Sequence, residues 1–176
     1  MTKVSNSPLE WKTLGVTGNR PQKLPGYLLP QVKTRIVEAV ENFAARGGER
    51  VIAGGALGVD TWAADAALGA GLDLWLFLPF PDQDKGWWAG DRRHFHDLKE
   101  QAAKVEYAGG HEEVRYFHER NRKIVNACDV LFSIHRSGEY SGGAYTATKY
   151  AREQARKPVL EVLVDDEKLT NYFHRA

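Results

Sequence analysis

The chain has 176 residues, of which 43% are hydrophobic, and 24 basic side chains stand against 23 acidic ones for a formal net charge of +1. That length suits one domain with a full core and excludes global disorder. The near-neutral balance excludes a chain-wide field attracting nucleic acid but leaves a local basic patch open. A lone cysteine, Cys128, excludes an internal disulfide framework and fits a reducing compartment.

The opening MTKVSNSPLEWKT has no apolar h-region, so no signal peptide is expected and a cytoplasmic location is. KTLGVTG predicts a first strand ending in glycine. A helical period follows from Leu28 to Ala45, with Val32, Ile36, Val40 and Phe43 on one stripe and Gly47 and Gly48 as its stop. RVIAGG predicts a second strand, VDTWAADAAL a helix, and LDLWLFLPF a third strand. Asp65 and Asp73 break this apolar stretch, which excludes a membrane span. Unbroken apolar runs of this kind suit strands buried on both faces. PDQDKGWWAGDRRHF is expected to be an irregular, functional loop. A helix from Phe95 to Ala103, a short strand KVEYAG, and a helix around Phe117 to Asn126 come next. DVLFSIH predicts a strand, RSGEYSGG a loop, AYTATKYAREQA a helix and PVLEVLV a last strand. The tail DDEKLTNYFHRA is expected to be a surface extension. This alternation implies an α/β, Rossmann-like three-layer fold, with a mainly parallel sheet and helices on both faces. A single domain is expected over residues 1–176, its core spanning about 12–164.

In such sheets, ligands bind beyond the carboxyl ends of the strands. TGNR, AGGALGVD, PFPDQ and SGEYSGGAYT all end predicted strands there. The second and fourth each put paired glycines before a helix. Glycine permits close backbone approach, and a helix N-terminus offers unpaired N–H groups and partial positive charge. The dipole contributes about 0.3–1 kcal/mol. Several N–H contacts to a charged phosphate, about 1.5–3 kcal/mol each, outweigh it. Neither GxGxxG nor a P-loop lysine is present, so no standard dinucleotide or NTPase site is expected, and no cofactor.

In FHERNRK, Phe117, Asn121, Ile124 and Cys128 form a helical stripe that turns Asn121 inward. An unpartnered buried amide costs about 1–3 kcal/mol, so Asn121 must bond to backbone or to a ligand. Glu119 faces Arg122 and Lys123 at i+3 and i+4, the spacing of a solvated salt-bridged face, whereas Arg120 lacks that explanation. His94 and His96 lack a clear third ligand, so no metal is expected. Asp82 and Asp84 fit a solvated loop, or carboxylates near a sugar hydroxyl. Trp87 and Trp88 suit a core cap or a base-stacking surface. Cys128 reads as inert core.

VTGNR, AGGALGVDTWAA, PFPDQ, ERNRKIVNACDVL and SGGAYTATKYA, in this order from about Leu14 to Val162, resemble the YspA/YpsA-related branch of the SMF/DprA–LOG (SLOG) superfamily. The resemblance implies a Rossmann-like pocket for a nucleotide or ADP-ribose-type ligand, and it is compatible with a homo-oligomer. The LOG branch contains phosphoribohydrolases with an HERK-like helix followed by PGGxGTxxE. Here His118, Glu119 and Arg120 match the first part, and Gly142, Gly143 and Thr146 the second. Lys149 stands where that pattern has its glutamate, and Tyr145 where it has the glycine before threonine. The missing carboxylate removes the group that stabilises an oxocarbenium ion or activates water, and nothing positions Glu119 or Glu139 to replace it.

Three readings follow, in order. The first is a binder of a nucleoside monophosphate or ADP-ribose-like ligand, a sensor or a low-activity enzyme. Gly54, Gly55, Gly142 and Gly143 lie against phosphate; Thr17, Gly18 and Arg20 form a wall; Arg120 pairs with phosphate; Asn121 fixes the loop or the ligand. Gln83 and Trp87 cover the base or sugar, with Asp60 and Thr146 as further contacts. The second is a LOG-like N-glycosidic hydrolase using Arg120 and Glu119. The third is a single-stranded nucleic-acid or protein-interaction module, with nucleic acid disfavoured by the neutral charge.

Overall fold

Seven strands and five α-helices, alternating as far as β6, make up the computed structural model, which describes residues 10–176. Most of the opening stretch read above, residues 1–9, lies outside the described residues. The strands are β1 (Thr13–Gly18), β2 (Arg50–Ala53), β3 (Asp73–Leu78), β4 (Lys104–Tyr107), β5 (Val130–Arg136), β6 (Val159–Val164) and β7 (Leu169–His174). The helices are α1 (Leu29–Ala45), α2 (Val59–Gly69), α3 (Ala89–Gln101), α4 (Val114–Ala127) and α5 (Gly143–Glu153). They form one sheet of order β4-β3-β2-β1-β5-β6-β7. Every pairing is parallel except β6 with β7.

Alternation along each strand splits the core into two layers. Leu14, Val16, Val51, Val130 and Phe132 pack with Val32, Ile36 and Val40 of α1 and Ala63 of α2. On the same side, Leu74, Leu76 and Leu78 meet Phe95 and Leu98 of α3. The intervening residues Ile52, Phe77, Leu131 and Val159 face α4 and α5. Each fully buried Leu, Ile or Phe contributes about 1.5–3 kcal/mol. Gly15 lets α4 close on β1, because a Cβ there would sit 2.8 Å from the Cys128 Sγ.

The tail departs from expectation. Its Leu169–His174 portion is an antiparallel edge strand rather than a surface extension. Asp165 Oδ1 accepts from the backbone N–H of Glu167 (2.7 Å) and Lys168 (2.8 Å), which tightens the turn that folds the chain back onto β6. Helix α3 starts at Ala89, inside the segment expected to be irregular, with Asp91 in its first turn favouring a helix N-terminus. No helix among the described residues is long and apolar enough to cross a membrane.

Candidate functional site

Strand order reverses between β1 and β5, and this switch point is where an open α/β sheet leaves a crevice beyond its strand ends. A cavity of about 310 Å³ lies there. The β1 end supplies Thr17, Gly18, Asn19, Arg20 and Lys23; the β2–α2 connection supplies Ala56 and Asp60. Phe117, His118, Arg120 and Asn121 come from α4, and Gly143 and Ala144 from the start of α5.

Two arginines here do different work. Arg20 is exposed, whereas Arg120 is only 6% exposed. The Arg120 guanidinium donates to the Gly54 carbonyl and, through Nε at 2.8 Å, to Asn121 Oδ1. Its Nη1 lies 3.8 Å from Asp60 Oδ2, so it is the counterion of a buried carboxylate. Asp60 Oδ2 also accepts from the Ala56 N–H at 3.3 Å, while Oδ1 is buried without a partner. Burial pushes the Asp60 carboxyl above its ordinary value, against the pull of Arg120. Arg120 stays cationic because a guanidinium does not deprotonate in proteins.

Asn121 is half-buried, and its Nδ2 donates to the Gly143 carbonyl at 3.3 Å, so the amide ties α4 to the start of α5. The N-cap of α5 is Gly142, with φ +86°, no side-chain cap and no acidic residue in the first turn. Lys23 lies against it: a Cβ on Gly142 would be 3.2 Å from Lys23 Nζ. Lys23 also pairs with Glu139 at 2.6 Å. At the other helix start, Asp60 already occupies the first turn of α2.

The cavity therefore brings together Thr17, Gly18, Arg20, Asp60, Arg120, Asn121 and Gly143. Gly54 and Gly55 are not in its wall. They lie buried beneath Arg120 and Gln83, and an added Cβ at Gly54 would overlap the guanidinium and come within 2.8 Å of Asp60 Oδ2. Gln83 donates to the Gly55 carbonyl at 3.1 Å, and Trp87 packs on Phe95 with centroids 5.3 Å apart, so neither covers the cavity. Thr146 donates back to the Gly142 carbonyl at 2.8 Å and lines an adjoining cavity with Lys149. Glu119 is exposed, outside the lining, and makes none of the ion pairs its spacing suggested.

Asp84 is not a solvated loop residue. It is buried, accepting from Arg92 Nε at 3.2 Å and bonded to His96 Nε2 at 3.0 Å. Burial raises its carboxyl, but those two bonds win and hold it below the ordinary value. His94 goes to a different carboxylate, Asp65, at 2.7 Å. Sequence reasoning missed Lys23 altogether and gave Asn19, Phe117 and His118, though they fall in its motifs, no place in the pocket they line. The signal for Lys23 was Pro21, which starts a 3-10 turn that carries Lys23 back beside Arg20. His118 sits three residues before Asn121, on the same helical face.

The YspA SLOG family model matches residues 14–169. The chain belongs to the YspA SLOG family. A UPF0398 protein YpsA of Bacillus subtilis (strain 168) is 25% identical over 181 residues, covering 90% of this chain and 96% of that protein. A UPF0398 protein of Bacillus thuringiensis (strain Al Hakam) is 28% identical over 160 residues, 83% of each chain. Among solved structures, DNA processing protein A (DprA) of Streptococcus pneumoniae superposes with TM-score 0.59 at 18% identity. That match covers 88% of this SLOG chain but only 50% of the DprA chain. DprA of Helicobacter pylori, described with a single-stranded DNA binding mode, gives 0.60 at 20% identity over 92% and 68% of the two chains. The molybdenum cofactor carrier protein of Chlamydomonas reinhardtii gives 0.56 at 20%, over 88% and 76%. These structural likenesses show the fold. The expectation against nucleic acid, which came from net charge, is not supported by these comparisons: one structural neighbour is described with a single-stranded DNA binding mode.

Proposed function

We propose that the switch-point cavity binds a nucleotide or nucleotide derivative by its phosphate. The observation that carries this is the start of α5. Gly143 and Ala144 bring its uncapped N-terminus to the cavity wall, Lys23 lines that wall and lies against the N-cap Gly142, which is itself outside the lining, and Arg20 lines the same space. Unpaired N–H groups, a partial positive charge and two flexible cations suit a phosphate dianion. Arg120 is assigned to the scaffold instead, holding Gly54 and Asn121 in place and balancing Asp60. Phe117 is held edge-on by Phe80, with centroids 5.4 Å apart, and offers an apolar surface for the base or sugar in place of Trp87. A volume of about 310 Å³ is at the small end for ligand pockets, nearer a nucleoside monophosphate than an ADP-ribose-like ligand.

Carboxylate placement favours binding over glycosidic hydrolysis. Glu119 is outside the lining, Glu139 is bonded to Lys23, and Asp60 is turned against Arg120. Calorimetry with the four ribonucleoside 5′-monophosphates and ADP-ribose tests the proposal. At least one is expected to bind, and Arg20→Ala is expected to weaken it by about 1.5–3 kcal/mol, some ten- to a hundredfold. No binding by any of them overturns the proposal, and free base in the chromatogram after incubation overturns the preference for binding over hydrolysis.

A further inference from the structure

The groove between α4 and α5 runs on from the first cavity into a second of about 300 Å³. His118 and Asn121 line both, so the two spaces adjoin along one wall. The second is one-sided in charge: Arg122 and Lys149 line it, and no acidic residue among the described residues does. Arg122 is held without a carboxylate. Its guanidinium lies over the Tyr150 ring, 5.5 Å from the centroid, and the Tyr150 hydroxyl donates to Asn126 Oδ1 at 3.0 Å. The cation is thus oriented by a stack that leaves its donors for another partner. Lys149 is exposed on α5.

We infer that this second cavity receives a second, separate anionic group of the same ligand, and that the ligand class is a 5′-phosphorylated dinucleotide. The inference rests on reading the first cavity as a nucleotide site. Each cavity has its own cation pair, Arg20 and Lys23 in one, Arg122 and Lys149 in the other. A mononucleotide has one anionic end and engages one pair. A pyrophosphate concentrates its charge in one place and also engages one pair. A dinucleotide puts its second phosphate one nucleotide unit away, and the two volumes, about 310 and 300 Å³, give each unit its own space. The exposed His118 ring stands between them, where a base can stack.

The test titrates each 5′-mononucleotide pN and its homodinucleotide pNpN into the full chain by calorimetry at two salt concentrations. The best pNpN is expected to bind about tenfold or more tightly than its pN, with a salt slope steeper by about 0.7 for the added phosphate contact. Lys149→Gln and Arg122→Gln, each made singly, are expected to remove most of that gain while pN affinity stays within about twofold. A pNpN that binds no tighter than pN overturns the inference. So does a gain that survives both variants, or a variant that weakens pN and pNpN alike. No pN binding by the unaltered protein overturns the nucleotide reading of the first cavity, and this inference with it.

Discussion

Replacing Arg120 by methionine separates the scaffold from the ligand site. Methionine keeps an unbranched apolar stem and removes the guanidinium that donates to the Gly54 carbonyl and Asn121 Oδ1. It also strips Asp60 of the counterion 3.8 Å from its Oδ2. Two hydrogen bonds from a charged donor are worth about 1.5–3 kcal/mol each, and breaking one side of a buried ion pair costs about 3–5 kcal/mol. Both figures describe the same atoms, so they do not add; the expected loss of stability at neutral pH is about 3–5 kcal/mol. Its pH dependence follows from Asp60. Burial already raises that carboxyl, and loss of Arg120 raises it further. A raised acid makes the folded state bind more protons, so stability falls as pH climbs from the ordinary carboxylate value, about 3.9, through the folded one. The deficit of Arg120→Met is therefore smallest near about pH 4 and grows toward neutrality. Adding Asp60→Asn removes the stranded charge, narrows the deficit and flattens its pH dependence. Urea midpoints across this range, for the unaltered protein and both variants, provide the check. A deficit below about 1 kcal/mol, or one indifferent to pH, refutes the role of Arg120 as buried counterion.

Two further outcomes concern groups away from the cavity. Burial pushes the Cys128 thiol up to about 11, so the folded chain should react with a thiol reagent at mildly alkaline pH only at its unfolding rate; prompt labelling refutes this. Glu161 accepts from His135 Nε2 at 2.9 Å and is bonded to His174 Nε2 at 2.6 Å, and these bonds, His135 first, hold its carboxyl below the ordinary value. A depressed acid stabilises fully above its unfolded value, about 4.3, and the contribution is lost as pH falls through the folded one. Denaturant midpoints should therefore drop more steeply on acidification in the unaltered protein than in Glu161→Gln, and identical profiles refute the assignment.

What the sequence disclosed depended on how local the cause was. Five of the six parallel strands are largely buried, mainly apolar runs ended by small or turn-forming residues, and each carries its own signal; the half-buried edge strand β4, KVEY, is marked by the AGG turn that follows it. β7 does not. LTNYFH pairs only because Asp165 turns the chain and β6 offers an edge, and its Tyr172 and Phe173 remain about half exposed. The start of α3 was hidden by Trp87, Trp88 and Gly90, which read as loop. Within the site, Thr17, Gly18, Arg20, Asp60 and Gly143 were legible because they flank glycine breaks at strand ends. Arg120 was named, but not for the contacts with Asp60, Gly54 and Asn121 that the fold gives it. Helical periodicity turns Asn121 inward but leaves its neighbour's burial undecided, and buried arginines are rare unless paired. The partner that explains this one, Asp60, is remote in sequence and meets it only in the folded sheet.

Net charge is a poor guide to partners for the same reason. It sums over the whole surface, whereas a cleft responds to the charges that line it and to its low-dielectric walls. Arg20, Lys23, Arg120, Arg122 and Lys149 gather along one sheet edge and the adjoining helix groove, with Asp60 as the one carboxylate in either lining. Asp60 and Arg120 largely cancel, being buried against each other. Glu139 offsets Lys23 at the rim, and on the proposed reading a phosphate at α5 competes with it for that lysine. Arg20 in the first cavity and Arg122 and Lys149 in the second line their spaces without an ion pair to a carboxylate among the described residues. All three are exposed and carry long side chains, so their attraction weakens with salt. On the proposed reading, the field at this edge comes from local cations in a chain of net charge +1, and the salt dependence of nucleotide binding measures how many of them, Lys23 included, the ligand reaches.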